Sequence, residues 1–175
     1  MAVAPLNATV GSATANTYAT RTEGTQFDDN RPASSGNDWG TGGTVQEEAL
    51  LWSCVVMEAL IEWTGYRVDG TQILQWPRSG MSDRNDNVIG TTTVPQELKN
   101  AQCEFARLLI AGDIMAPDDV ADKKMTKLVA GPVELSFAIG VMPKRLPDAV
   151  LLLMPHKWIK GVRGRSPGTR SLARA

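Results

Sequence analysis

The stretch from Thr44 to Gly65 constrains the fold most, because apolar residues occupy nearly the whole circumference of the helix it predicts. At about 100° per residue, Glu47, Glu58 and Glu62 share one narrow stripe, while Leu50, Trp52, Val55, Val56, Met57, Leu60, Ile61 and Trp63 fill most of the rest. Such a helix either lies at the centre of a core or is covered on a second side by another subunit. Thr44-Val45-Gln46-Glu47 reads as a capping box, in which the hydroxyl takes one free N–H and the carboxylate reaches back to another. Gly65 supplies the stop, near Trp63.

A second helix is predicted from Pro95, where the missing N–H is no loss, to Gly112. Leu98, Ala101, Phe105, Leu108 and Leu109 make its apolar stripe, and Lys99, Asn100, Glu104 and Arg107 its wet face. The two helices are expected to pack antiparallel through their stripes. Between them, Ile73, Leu74 and Trp76 anchor a short irregular segment, with Pro77 ending any helical turn and Gly80 permitting a sharp bend. Lys124–Ala130 and Pro132–Ile139 read as a hairpin around Gly131, and Pro147–Ile159 as a last helix shortened or kinked at Pro155. The fold class is therefore mainly α: a small helical body of two long helices and a C-terminal helix, with a β-hairpin, at residues 44–159. Residues 1–43 carry few bulky apolar side chains and read as a flexible, extended arm with one short turn near Tyr18–Glu23. Residues 160–175 read as a basic tail.

The 175 residues suffice for one domain, and the net charge of −1 does not by itself point to nucleic acid. Distribution matters more. Lys157, Lys160, Arg163, Arg165, Arg170 and Arg174 close the chain without one acid among them, and six cations can neutralise several phosphates or meet an acidic protein surface. Cys54 and Cys103 lack metal-ligand spacing and read as buried free thiols, which suits a reducing cytoplasm. His156 stands alone beside Pro155 and Lys157, so neither a triad nor a zinc site is legible. Asp83-Arg84-Asn85-Asp86-Asn87 begins like a calcium loop, but Val88 and Val94 stand where the turn glycine and the closing carboxylate belong. Gly40-Thr41-Gly42-Gly43-Thr44 lacks the lysine of a phosphate loop. The expectation is a protein that is not an enzyme, carries no cofactor or metal, and neither spans a membrane nor enters the secretory route.

The order of motifs adds a family resemblance. Tyr18, the helix Glu47–Trp63, the turn Trp76-Pro77-Arg78-Ser79-Gly80, Val94-Pro95, Ala101-Gln102-Cys103-Glu104, Ala111-Gly112-Asp113, Gly131-Pro132-Val133 and Trp158 follow one another as in phage head–tail adaptor proteins, a family often labelled DnaT-like. The chain resembles that family over residues 17–159. The resemblance implies a structural virion protein in the phage neck, made in the host cytoplasm. It also implies a homo-oligomeric, dodecameric ring that contacts the portal protein and a tail or further neck protein, with packaged DNA close by. Trp76, Pro77, Arg78 and Gly80 would then hold a structural turn, and the six basic residues would meet the portal or the DNA path. The alternative the same label implies is a single-stranded nucleic-acid-binding accessory protein. Residues 1–16, 24–44 and 160–175 read as additions to the family pattern.

Overall fold

A computed structural model describes residues 3–31, 39–112, 127–130, 133–136 and 146–163. The chain divides into two compact units, one of residues 1–114 and 146–163, the other of residues 115–145 and 164–175.

In the first unit, helix α1 (Arg21–Asp29) is followed by a 3-10 turn at Trp39–Thr41, helix α2 (Gly43–Leu60) and strand β1 (Ile61–Trp63). The short strands β2 (Tyr66–Arg67) and β3 (Arg78–Ser79) pair antiparallel, with Tyr66 opposite Ser79. Helix α3 (Gln96–Ala111) comes next. After residue 146 come helix α4 (Asp148–Leu153), a 3-10 turn at His156–Trp158 and strand β6 (Ile159–Val162). Helix α3 is the hub, packed by α1, α2 and α4. Leu50, Met57, Leu98, Phe105, Val150 and Trp158 are among the fully buried side chains of the unit. In the second unit, β4 (Lys127–Ala130) and β5 (Val133–Ser136) form an antiparallel hairpin with Ala130 opposite Val133. The mainly helical reading with a hairpin holds. The outer ends predicted for the two hairpin strands lie outside the described residues.

Four local expectations are corrected. Helix α2 stops at Leu60 rather than Trp63, because Ile61 turns extended (φ −90°, ψ 125°) and the next residues alternate in burial: Ile61 in, Glu62 out, Trp63 in. That period of two belongs to a strand, and β1 pairs antiparallel with β6. No capping box forms at Thr44, which lies inside α2 with Gly42 as its N-cap. Glu47 is drawn instead to Arg21, 3.6 Å away. A capping box does form one helix earlier, where Thr20 Oγ1 accepts from the Glu23 amide and Glu23 accepts from the Thr20 amide. The last helix is six residues long, since Pro155 disfavours helical backbone at Met154. The segment from Lys160, expected as tail, begins as strand β6 and continues to Arg163, whose amide donates to the Leu60 carbonyl.

The segment ahead of α2 also packs more closely than an extended arm suggests. Tyr18 and Ala19 are buried, and Trp39 joins a cluster with Ala49, Leu50, Cys103 and Ala106. Gly24 lies so close to the Trp39 ring that a Cβ there would overlap it at 2.4 Å. Few bulky residues sit in this segment, but Tyr18 and Trp39 both reach the core.

Candidate interaction surface

The turn at Trp76–Gly80 is built from the inside. The Trp76–Pro77 peptide is cis. Gln72 Nε2 donates to the carbonyls of Leu74 and Pro77 at 2.8 and 3.0 Å, pinning both ends of the loop. Buried Arg78 reaches back to the chain after β1, giving Nε to the Thr64 carbonyl (2.7 Å) and Nη2 to the Gly65 carbonyl (2.8 Å), while Nη1 meets Gln75 Oε1 (2.9 Å). Trp76 stands edge-on to Trp63 with centroids 5.9 Å apart and leans on Trp158 at 5.0 Å. Trp158 Nε1 in turn donates to the Ser82 carbonyl. Trp76, Pro77 and Arg78 are all buried, and the Arg78 guanidinium is spent on partners within the chain, so it ties the turn to the residues after β1, while Trp76 Nε1 is buried without a hydrogen-bond partner.

A polar network joins this turn to the N-terminal segment. The Tyr18 hydroxyl donates to Glu58 Oε1, and Glu58 Oε2 accepts from the Gln75 amide at 2.9 Å. Burial pushes the Glu58 carboxyl above its usual range, against the hydrogen bonds from Tyr18 and Gln75. Burial likewise raises Tyr18, with the Glu58 charge adding to it, so the phenolic proton stays on Tyr18. Gln102, wholly buried, accepts from the amides of Tyr18 and Ala19 at 3.0 Å each and donates to Thr17 Oγ1 and the Leu50 carbonyl at 2.8 Å each. Glu104, placed on the wet face by periodicity, is buried instead between Arg31 and Arg107. A carboxylate removed from water needs such partners, and two guanidinium groups supply them.

Desolvation raises the Cys54 thiol far above the ordinary thiol range and the Cys103 thiol to about 12, so neither offers a thiolate. Among the described residues no cluster of His, Cys, Asp and Glu could hold a metal ion, and no helix is long and apolar enough to cross a membrane. The basic positions are dispersed. Lys157 is ion-paired with Asp86, Arg163 lies 3.5 Å from Glu62, and Lys160 is exposed at the β1–β6 bulge. Arg165, Arg170 and Arg174 lie outside the described residues. In the first unit the described acids outnumber the described cations.

The unit also presents an apolar strip to solvent. Val45, Trp52 and Val55 are 40, 50 and 53% exposed on one side of α2, Ala59 is exposed beyond them, and Ile73 is 58% exposed. Val45, Glu48, Trp52, Val55 and Ala59 recur at alternating three- and four-residue spacings, the spacing of a seam that meets another segment along its length. Val55, Ala59 and Ile73 also rim an open concavity of about 480 Å³ floored by Leu74 and Glu58. Sequence periodicity flagged α2 as too apolar for one-sided burial, but not which residues are left uncovered.

The comparisons with known proteins fall on this same body. Residues 6–166 match a protein-family profile described as "Putative DnaT-like ssDNA binding protein". The chain belongs to that family. The match takes in nearly all of the DnaT-like chain, including residues 6–16 and 24–44, which read as additions from sequence alone. It ends short of Arg170 and Arg174. No curated protein and no solved structure matches the DnaT-like chain.

Proposed function

We propose that this DnaT-like protein is a structural assembly subunit, a head–tail adaptor that joins copies of itself and the portal of a phage neck. The observation that carries the reading is the exposed apolar seam of α2, with half-exposed Trp52 at its middle and Ile73 beside it. Exposed tryptophan in a contiguous apolar strip characterises a surface meant to be covered. The polar network around Tyr18, Glu58, Gln102 and Arg78 supports the same reading, since it holds the helix and its flanking turn rigid beneath that surface. The order of motifs from Tyr18 to Trp158 supports the adaptor reading, by its resemblance to phage head–tail adaptors.

Single-strand binding is the second reading, and the family description favours it directly. Tyr66, 78% exposed beside Arg67 on β2, is the described aromatic best placed to stack on a base. Against it stands the excess of acids over cations in the described part of the unit.

Light scattering of the chain alone and mixed with portal rings from the same source separates the two, run beside fluorescence anisotropy with a labelled oligothymidylate. The adaptor reading expects a complex with about one chain per portal subunit and weak, non-saturating oligonucleotide binding. Sub-micromolar oligonucleotide binding that falls steeply with salt, without portal association, would replace it with the second reading.

A further inference from the structure

We infer that the α2 seam is a docking site for the C-terminal segment of a second copy of this chain, residues 164–175. This rests on the assembly reading above and names the contact that joins neighbouring subunits.

The first argument is charge. Helix α2 contains no Lys or Arg, and Glu48 sits exposed within its apolar seam, between Val45 and Trp52. Glu47 is matched by Arg21, Glu58 by Tyr18 and Glu62 by Arg163, whereas Glu48 has no ion pair among the described residues. A second α2 laid against the first would bring only further carboxylates to the seam. The complementary occupant is a segment both cationic and partly apolar. Residues 164–175 carry Arg165, Arg170 and Arg174, no acid, and the apolar Leu172 between two of those arginines. Leu172 suits the concavity rimmed by Val55 and Ile73, with Arg170 or Arg174 within reach of Glu48.

The second argument is reach. The last described residue, Arg163, is tied to the Leu60 carbonyl at the C-terminal end of α2. The residues beyond it span up to about 40 Å when extended. That exceeds the length of the 18-residue α2, about 27 Å, and is enough to cross to a subunit alongside.

The test is a disulfide trap in the full-length chain. One preparation carries Val55→Cys, a second carries Leu172→Cys, and the two are mixed in equal amounts under mild oxidation. Native Cys103 is buried and stays in place, while Cys54, which lines the same concavity, is replaced by Ser in both preparations. A mixed disulfide joining the two variants is expected, forming about tenfold faster than when Arg165, Arg170 and Arg174 are all replaced by Glu. Ala59→Cys is the second seam position should Val55→Cys fold poorly. Two results overturn the inference. One is a cross-link that forms only within a single chain carrying both substitutions at high dilution; the other is no cross-link at either seam position. Portal association of the triple Glu variant is measured in parallel. A bound portal without the mixed disulfide rejects this contact and leaves the adaptor reading standing, whereas wild-type chains that ignore the portal reject the adaptor reading whatever the trap shows.

Discussion

Gly65 and Gly80 both hold positive φ, +65° and +75°, yet their neighbours differ. A Cβ at Gly65 would lie 2.5 Å from the Ser79 carbonyl and 2.7 Å from Met81 Sδ, while Gly80 faces open space. Gly65→Ala is therefore expected to cost about 2–4 kcal/mol, left-handed strain plus overlap, and Gly80→Ala about 1 kcal/mol, as read from urea midpoints. Equal losses would refute the close packing of Gly65 against Ser79 and Met81. Glu58 makes a pH prediction. Its carboxyl is raised by burial, so the folded state binds the proton more readily than the unfolded chain, whose value is about 4.3. Stability from this group is thus fully present below that value and drains away as pH rises through the folded one. Thermal melts from about pH 4 to pH 7 should show the wild type losing ground to Glu58→Gln as pH rises; a constant difference would mean no buried charge. At this scale the family resemblance implied a structural turn at Trp76–Gly80, and Arg78 is buried there on backbone carbonyls. The sequence could not show that Tyr18 meets Glu58, or that Gln102 receives the amides of Tyr18 and Ala19. Those contacts join residues 40 and more than 80 positions apart, and periodicity reports only neighbours along one element.

Among the elements, α3 carries the unit because one of its side chains is a polar clamp. Gln102 holds two amides of the N-terminal segment with its oxygen and an α2 carbonyl with its nitrogen, so α2, α3 and residues 17–19 are joined at one point. Gln102→Leu leaves those groups buried and unmatched. At about 1–3 kcal/mol for each, the expected loss is about 3–5 kcal/mol, and hydrogen exchange at the Tyr18 and Ala19 amides should rise with it. Preserved protection there would place the clamp elsewhere. Both long helices were legible, since their apolar spacing is sustained over several turns. Their ends were less so. Ile61-Glu62-Trp63 fits either period when read alone, and only the partner strand Ile159–Val162, about a hundred residues later, decides for extended backbone. Thr44-x-x-Glu47 met the spacing of a capping box, but Arg21 competed for the carboxylate from another helix.

For the molecule as a whole, the exposed seam on α2 matters more than the small net charge. Trp52→Glu should change stability by no more than about 0.5 kcal/mol, because the residue is half in water, yet weaken self-association and portal binding by about tenfold or more. A large loss of stability with association intact would assign Trp52 to the core instead. The same residue has an optical consequence. Trp39, Trp63, Trp76 and Trp158 are all buried, so of the five indoles only Trp52 is open to a dissolved quencher. Acrylamide added to the unmodified chain should extinguish one red-shifted emitter and spare four blue ones. Whatever covers that helix will then announce itself as light that can no longer be put out.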